Sequence, residues 1–162
     1  RASDPLRKIS HGMTWVKPDA MHCTIKFLGE VQDPEPIKKV LSALKVTPKE
    51  AVLAPYAEVF CRREAVTVLN VPFLQSDAIT EWFAAIEDVL NPLGFARETR
   101  AFVPHCTLAR YKSFVSCKEA RGHAQSIKIP EGLTVATEKI HLIKSTLLPD
   151  GPLYAILCSY GG

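Results

Sequence analysis

The sequence predicts a single α+β domain over residues 1–162, on the strength of three observations. Two stretches carry apolar residues at helical spacing, several others have the composition or alternation of β-strands, and no Gly/Ser-rich linker divides the chain. Strands mixed with a few helices are typical of an α+β fold. With 47% hydrophobic and 23% charged residues, the chain has the composition of an ordinary globular protein, so disorder is not expected.

Two long helices are predicted from start signals and apolar periodicity. The first begins at the Pro34/Pro36 signal, and the second begins near Ser76-Asp77 and is followed by Gly94. Their apolar stripes are Ile37, Val40, Leu41 and Leu44 in the first helix and Ile79, Trp82, Phe83, Ile86 and Leu90 in the second. A shorter helix is predicted over Cys117–Ala124.

β-Strands are predicted where β-branched, aromatic or alternating residues accumulate. They are Met13–Val16, His22–Leu28, Val52–Phe60, Ala65–Val71, Ala101–Tyr111, Val135–Ile143 and Leu153–Tyr160. Asp150-Gly151 is a turn signal, so the last two strands are expected to form a hairpin.

Charge and cysteine content narrow the classes of function. The net charge of +3 fits a local phosphate site better than a long nucleic-acid groove. No apolar run approaches the roughly 20 residues of a membrane span, so we expect a cytoplasmic monomer that binds no membrane. The five cysteines are odd in number and lack C-x-x-C spacing, so we expect no disulfide framework and no structural zinc site. Free thiols are typical of a reducing compartment.

A four-residue pattern occurs twice in the chain. His22-Cys23-Thr24-Ile25 recurs as His105-Cys106-Thr107-Leu108, a separation of 105 − 22 = 83 residues. On a β-strand, the His and Thr of each copy share one face, while the Cys and the following apolar residue share the other. Two such strands side by side would therefore present two imidazoles and two hydroxyls from an apolar backing.

This set of side chains suits transfer or hydrolysis at a phosphodiester. One imidazole can accept a proton while the other donates one, and threonine hydroxyls can hydrogen-bond to non-bridging phosphate oxygens. The arrangement requires no metal and no other cofactor. The competing interpretation is that His-x-Thr is a common strand pattern, because Thr favours strands through its β-branching alone. The duplication favours catalysis.

The segments around both copies resemble a known family. Residues from Trp15 to Val31 and from Phe102 to Arg110 resemble the two motif regions of the 2H phosphoesterases, in particular the RNA 2′,3′-cyclic phosphodiesterases, or 2′-5′ RNA ligase family. The stretch from Ser145 to Tyr154 resembles the C-terminal hairpin of that family, and Leu93-Gly94-Phe95 also fits its pattern.

The resemblance implies a bilobal 2H fold, with two pseudo-symmetric antiparallel-sheet lobes, outer helices and a central cleft lined by both motifs. It implies hydrolysis of RNA 2′,3′-cyclic phosphate to a 2′-phosphate, with RNA ends or cyclic-phosphate nucleotides as partners. By position, His22 and His105 are the acid/base pair, and Thr24 and Thr107 hold the phosphate. Some members also join or cleave 2′-5′ RNA linkages.

The chain departs from the family pattern in two places. The family begins with an apolar strand, and nothing like it precedes Leu6, so this strand is expected to be absent. The segment 56–71 resembles the family only loosely, which leaves the identity of the substrate open.

Three further residues are candidates for substrate binding. Lys26 shares the face of Thr24 on a regular strand, where it would contact phosphate or be a solvated lysine at the rim. Arg110 lies in the second resembling segment, but alternation places it opposite Thr107, so only a twist or bulge would bring it to the site. Tyr111 falls on the motif face, where it would stack on a base or form a simple edge tyrosine.

Other aromatic and histidine residues carry weaker signals. Phe60 with Arg62-Arg63 would form either a platform for a nucleobase or a turn with solvated arginines. The remaining histidines, His11, His123 and His141, lack a companion motif and are assigned no role, and His141 is expected to face outward.

Two alternatives to an RNA phosphodiesterase stay open. One is a nucleotide-binding regulatory module of the 2H type that keeps both motifs and binds AMP or CMP. The other is an enzyme for a different substrate, such as ADP-ribose cyclic phosphate or 2′-5′ oligoadenylate. Turnover of a 2′,3′-cyclic nucleotide separates the enzyme from the binding module.

Overall fold

The computed structural model of the protein describes residues 12–112, 114–148 and 151–161. The chain forms two compact units, each assembled from three stretches of sequence. The first contains the residues up to Cys23 together with 53–74 and 105–133, and the second contains 24–52, 75–104 and the residues from Thr134 onward. Neither unit is therefore a continuous segment. Among the helices that the structure describes, none is long and apolar enough to cross a membrane.

The secondary structure mixes strands with three helices, as expected for an α+β protein. The strands are β1 (Met13–Trp15), β2 (Lys49–Leu53), β3 (Glu58–Arg62), β4 (Ala65–Gln75), β5 (His105–Tyr111), β6 (Thr134–Thr137), β7 (Ile140–Leu148) and β8 (Gly151–Tyr160). The helices are α1 (Glu35–Leu41), α2 (Asp77–Leu90) and α3 (Cys117–Ser126), and short 3₁₀ turns span Pro18–Ala20 and Asn91–Leu93.

The first unit is an antiparallel sheet packed against one helix. Its strands lie in the order β1–β5–β4–β3, each antiparallel to its neighbour. The buried centre of this unit contains Leu69 of β4, Ala109 of β5 and Ala124 of α3, so α3 covers the face of the sheet that carries these residues.

The second unit packs two helices against antiparallel strand pairs. Strand β2 pairs with β6, and β7 pairs with β8. The core of the unit combines the buried faces of both helices with β7: Ile37, Leu41, Trp82, Ile86, Leu90, Ile140 and Leu142. Apolar burial of this size is the main favourable term for folding.

The predicted helices are confirmed with small changes at their ends. Helix α1 buries Ile37 and Leu41 of the predicted stripe but ends before Leu44. Helix α2 begins after Ser76, and Gly94 follows its terminal 3₁₀ turn with a φ of 92°, a conformation that glycine adopts without strain. The third helix extends to Ser126, and its first turn is capped by Ser116, whose hydroxyl accepts from the backbone N–H of Glu119 at 3.2 Å.

Several predicted strands are wrong in their extent. The predicted strand Val52–Phe60 is divided between β2 and β3 around Pro55, which has no N–H to contribute to a ladder. The predicted strand Val135–Ile143 is divided between β6 and β7, because these segments pair with different partners. Strand β5 begins only after Pro104, for the same reason as at Pro55.

The predicted strand His22–Leu28 is absent. Within it, only Cys23 takes part in a β-bridge, with Cys106, whereas a strand requires consecutive paired residues. The predicted C-terminal hairpin is confirmed, because β7 and β8 pair from Ile140 and Tyr160 down to Leu148 and Gly151. Asp150 of its turn signal lies outside the described residues.

A disulfide joins Cys61 of β3 to Cys117, the first residue of α3. This corrects the expectation that the cysteines are unpaired, which rested on spacing, because the two residues lie 56 positions apart. Packing brings them together: the backbone N–H of Cys117 donates to the carbonyl of Glu64 at 3.0 Å, beside the turn between β3 and β4. The other three cysteines, Cys23, Cys106 and Cys158, form no disulfide.

We expect Cys117→Ser to lower the free energy of unfolding by up to about 4 kcal/mol in non-reducing buffer, because the disulfide closes a long loop and restricts the unfolded chain. In buffer with dithiothreitol, the variant and the wild-type protein should differ far less. Urea unfolding under both conditions measures the effect. Cys158→Ser is the control and should respond equally with and without reductant; a Cys117→Ser effect that ignores the reductant contradicts the prediction.

Candidate active site

The two copies of the repeated motif meet at their cysteines, which both belong to the first unit. Cys23 and Cys106 form an antiparallel β-bridge. The contacts around the bridge are reciprocal: the thiol of Cys23 is hydrogen-bonded by the backbone of His105, and the thiol of Cys106 by the backbone of His22. Each histidine is therefore one residue from the point where the motifs pair, and the antiparallel direction sets His22 across from Thr107.

The ring of His22 is oriented by the short turn that precedes it. Pro18 begins a 3₁₀ turn, and the carbonyl of Ala20 at its end lies 2.8 Å from Nδ1 of His22. A carbonyl oxygen only accepts hydrogen bonds, so Nδ1 carries the proton in this contact. Nε2 is then the nitrogen whose protonation can change without breaking the contact.

The ring of His105 is packed by an aromatic side chain. His105 is the first residue of β5, and the ring of Phe60 on β3 meets it edge-on, with centroids 4.6 Å apart and an interplanar angle of 82°. Such T-shaped pairs are favourable and directional. Phe60 thus contacts a candidate catalytic ring, a role that neither of the two sequence-based interpretations of this residue included.

A β-bulge sets the direction of Thr107. In the pairing of β4 with β5, Leu69 lies opposite Ala109 while the next residue, Asn70, lies opposite Thr107, so Leu108 is an extra residue in β5. Residues that lie directly opposite each other share a face of the sheet, and successive residues of β4 alternate. Leu69 and Ala109 face the core beneath α3. Thr107 therefore lies on the other face.

The same bulge reverses the sequence-based placement of the residues that follow. Arg110 lies opposite Val68, two residues from Asn70 along β4, and so shares the face of Thr107, where it is exposed. This is the bulge that the sequence analysis required for Arg110 to reach the site. Tyr111 moves to the opposite face and packs against the first unit's core. Simple alternation was therefore wrong for Tyr111, and burial raises the pKa of its phenol.

Thr24 and Lys26 belong to the second unit. Thr24 is half-buried and lies outside any strand. The ammonium of Lys26 forms an ion pair with Glu87 and donates to the carbonyl of Ala96 at 2.8 Å, and the side chain of Lys26 is only 9% exposed. Lys26 is therefore not the solvated lysine of one interpretation. The phosphate contact of the other interpretation assumed a regular strand, and Lys26 lies outside any strand.

Sequence analysis missed two buried polar residues near the motif segments. Asn70 is fully buried, and its Oδ1 has no hydrogen-bond partner although its strand position lies directly across from Thr107. Glu87 is 4% exposed within α2. The spacing of Glu87, one position after the apolar Ile86, was the available signal, because a charged residue at the edge of an apolar stripe requires a partner.

The two thiols at the bridge are held in the protonated form. Burial, with a smaller contribution from the nearby Cys106 thiol, raises the pKa of Cys23 to about 11, and burial also raises the pKa of Cys106. A thiol is nucleophilic only as the thiolate, so at neutral pH both cysteines are an apolar backing and not nucleophiles.

The remaining histidines lie apart from the motifs or outside the described residues. His141 is exposed on β7, as predicted, with Nδ1 at 2.8 Å from the hydroxyl of Ser159. His123 is half-buried on α3, and His11 lies outside the described residues. Across residues 12–112, 114–148 and 151–161, no three His, Cys, Asp or Glu side chains come close enough together to hold a metal ion.

The antiparallel α+β fold is that of the LigT-like phosphoesterases. The model of the LigT-like phosphoesterase family matches residues 72–154, about half of the chain. A curated protein of Methanocaldococcus jannaschii, named RNA 2′,3′-cyclic phosphodiesterase, is 32% identical over 90% of this chain and 83% of its own length. The protein belongs to the LigT-like phosphoesterase family, and it is an enzyme of the phosphoesterase class.

Further relatives and solved structures agree with this assignment. A protein of Thermotoga maritima with the same name is 29% identical over 98% of this chain and 86% of its own. The crystal structure of TT0787 of Thermus thermophilus superposes with a TM-score of 0.70 at 24% identity, over 95% of this chain and 84% of that one. The LigT protein of E. coli, solved with 3′-AMP, gives 0.67 at 20% identity over 93% and 81%. The structures share the fold.

We expect the free energy of unfolding to fall as the pH rises from 9 to 11, because the folded state holds Cys23 as a neutral thiol with a pKa of about 11 against an ordinary value of 9.0. A raised pKa stabilises the folded protein below pH 9, and this stabilisation is lost as the pH approaches the folded value. The expected loss from Cys23 is about 2–3 kcal/mol. Urea unfolding at pH 8 and at about pH 10.5 measures it, and Cys23→Ala should show a shallower slope; equal slopes for both proteins contradict the prediction.

Proposed function

We propose that the protein hydrolyses the 2′,3′-cyclic phosphate at RNA ends, leaving a 2′-phosphate. The observation that carries this proposal is the antiparallel bridge between Cys23 and Cys106, which brings His22 and His105 next to the same backbone pairing. The curated relatives at 32% and 29% identity are named for this activity. Substrates of this kind are the proposed partners, and we propose no resident cofactor.

The two histidines divide the proton transfers. In the proposed reaction His105 takes a proton from water, the water oxygen forms a bond to phosphorus, and the bond from phosphorus to the 3′-oxygen breaks. His22, protonated at Nε2, gives its proton to the departing 3′-oxygen. The contact of Nδ1 with Ala20 supports this role, because it fixes the ring while Nε2 changes protonation.

The hydroxyls of Thr24 and Thr107 bind the phosphate. We propose that they donate hydrogen bonds to its non-bridging oxygens, where negative charge increases as water attacks. The bulge in β5 supports this role for Thr107, because it directs the side chain away from the core. By the same register Arg110 lies on this face, where its guanidinium would neutralise phosphate charge.

The same chemistry extends to 2′-5′ ligation. If a 5′-hydroxyl of a second RNA replaces water as the nucleophile, the same bond to the 3′-oxygen breaks and a 2′-5′ phosphodiester forms. No additional side chain is required, because His105 accepts the hydroxyl proton as it accepts the proton of water. Which product dominates depends on the competition between water and the 5′-hydroxyl.

A substrate panel tests the proposed function directly. It contains RNA with a 2′,3′-cyclic end, a 2′,3′-cyclic nucleotide, 2′-5′ and 3′-5′ linked dinucleotides and ADP-ribose cyclic phosphate, with the position of the product phosphate assigned by ³¹P NMR. A 2′-phosphate product from the cyclic substrates is expected. Binding of AMP or CMP without turnover of any cyclic substrate would favour the nucleotide-binding module instead.

We expect His22→Ala and His105→Ala each to lower kcat for the 2′,3′-cyclic substrate by about 10²–10⁴-fold, because each removes one of the two proton transfers. Circular dichroism should show an unchanged fold. His141→Ala is the matched control, since this histidine is exposed on β7 and should not affect kcat. Near wild-type turnover in either motif variant contradicts the paired-imidazole mechanism.

Turnover should persist after treatment with EDTA, because in the proposed mechanism the histidines transfer the protons and the hydroxyls with Arg110 bind the phosphate. The measurement is kcat/KM of protein dialysed against EDTA, compared with protein supplemented with Mg²⁺, Mn²⁺ or Zn²⁺. Equal values are expected. Loss of activity on chelation with recovery on addition of one of these ions would overturn the metal-independent scheme.

A further inference from the structure

Glu87 is a buried carboxylate that takes no part in the proposed chemistry. It lies on α2 and is 4% exposed. One oxygen contacts the ammonium of Lys26, and the other accepts a hydrogen bond from the backbone N–H of Glu98 at 3.0 Å. Burying a carboxylate is costly unless it is paired and hydrogen-bonded, so this contact to Lys26 is part of a specific local arrangement.

Lys26 is held at the tip of its side chain by the second unit. Its ammonium contacts Glu87 and also donates to the carbonyl of Ala96 at 2.8 Å. The flexible stem of a lysine loses its freedom when its charge is bound in a buried site. The pair therefore ties the backbone at Lys26 to α2 and to the segment after the helix.

Thr24 lies two residues before this tether, in a segment with no strand. Residues 24–28 are assigned to no helix or strand and follow the bridged residue Cys23. A hydroxyl that binds a reacting phosphate must be kept within about 0.5 Å of its working position. The ion pair of Lys26 with Glu87 restrains the backbone two residues from Thr24.

We propose that Glu87, acting through Lys26, is a positioning residue that holds Thr24 for the phosphate. This inference rests on the proposed function of Thr24. It differs from direct binding of phosphate by Lys26, in which loss of Glu87 would release the ammonium for the phosphate and spare activity. Positioning requires both members of the pair, so loss of either lowers activity.

A double-mutant cycle with Thr24 tests the inference. Lys26→Met and Glu87→Gln are each made in the wild-type protein and in Thr24→Val, and kcat/KM for a 2′,3′-cyclic nucleotide is measured in all six proteins. In the wild-type background each substitution should lower kcat/KM at least about 10-fold, because small misplacements of a catalytic group are costly. In the Thr24→Val background, each should change it less than about 2-fold.

The control is the neighbouring ion pair on the same helix. Asp88 binds Arg97 at 2.6 Å, and both side chains are more than half exposed. Asp88→Asn should alter kcat/KM less than about 2-fold in both backgrounds. Where a single variant fails to fold, Lys26→Met/Glu87→Gln is carried through the same cycle, because it leaves no buried charge unpaired.

The outcomes separate the inference from the proposed function. Equal losses with and without Thr24, or wild-type activity in Lys26→Met, overturn the positioning role while the proposed function stands. Loss in Lys26→Met with full activity in Glu87→Gln points to direct phosphate binding by Lys26 and also overturns it. Wild-type kcat/KM in Thr24→Val contradicts phosphate binding by Thr24 and the positioning role that rests on it, whereas absence of turnover by the wild-type protein contradicts the proposed function.

Discussion

The antiparallel bridge between Cys23 and Cys106 is the interaction on which the candidate site depends. It is a small contact, but it joins residues 83 positions apart, and each of the two cysteines directly follows a histidine. The half-buried, protonated thiols make the back of the bridge apolar, and in an extended chain the residues flanking each cysteine point to the other face. The repeated pattern is therefore joined at its middle residues, which places His22 and His105 beside the same bridge.

The second constraint is the bulge in β5, which decides which side chains accompany His105. One extra residue, Leu108, separates the pairing of Thr107 from that of Ala109. Ala109 can then be buried beneath α3 while Arg110 shares the face of Thr107. Without the bulge, strict alternation would put Thr107 and Ala109 on the same face. Ala109 could then not be buried beneath α3 while Thr107 faces away from the core.

The sequence predicted the parts of the fold that local chemistry determines. The apolar stripe of α2, its start at Ser76-Asp77 and the paired motifs follow from periodicity and from the repeat. Three features could not be predicted in this way: the disulfide between Cys61 and Cys117, the absence of a strand at His22–Leu28, and the face of β5 on which Tyr111 lies. Each depends on which distant backbone lies alongside, and residue spacing carries no information about that.

Lys26 illustrates how the assumption of a regular strand misplaces a side chain. Its position two residues after Thr24 suggested a phosphate contact, since alternation on a regular strand would place both side chains on one face. Because that strand is absent, alternation does not set the direction of the Lys26 side chain, and its ammonium binds the buried carboxylate of Glu87. An ion pair removed from water is strong only if its geometry is fixed, so it constrains the backbone to which it is attached. In the proposed positioning role, the ion pair of Lys26 with Glu87 fixes the chain beside Thr24, and the ammonium does not contact the phosphate.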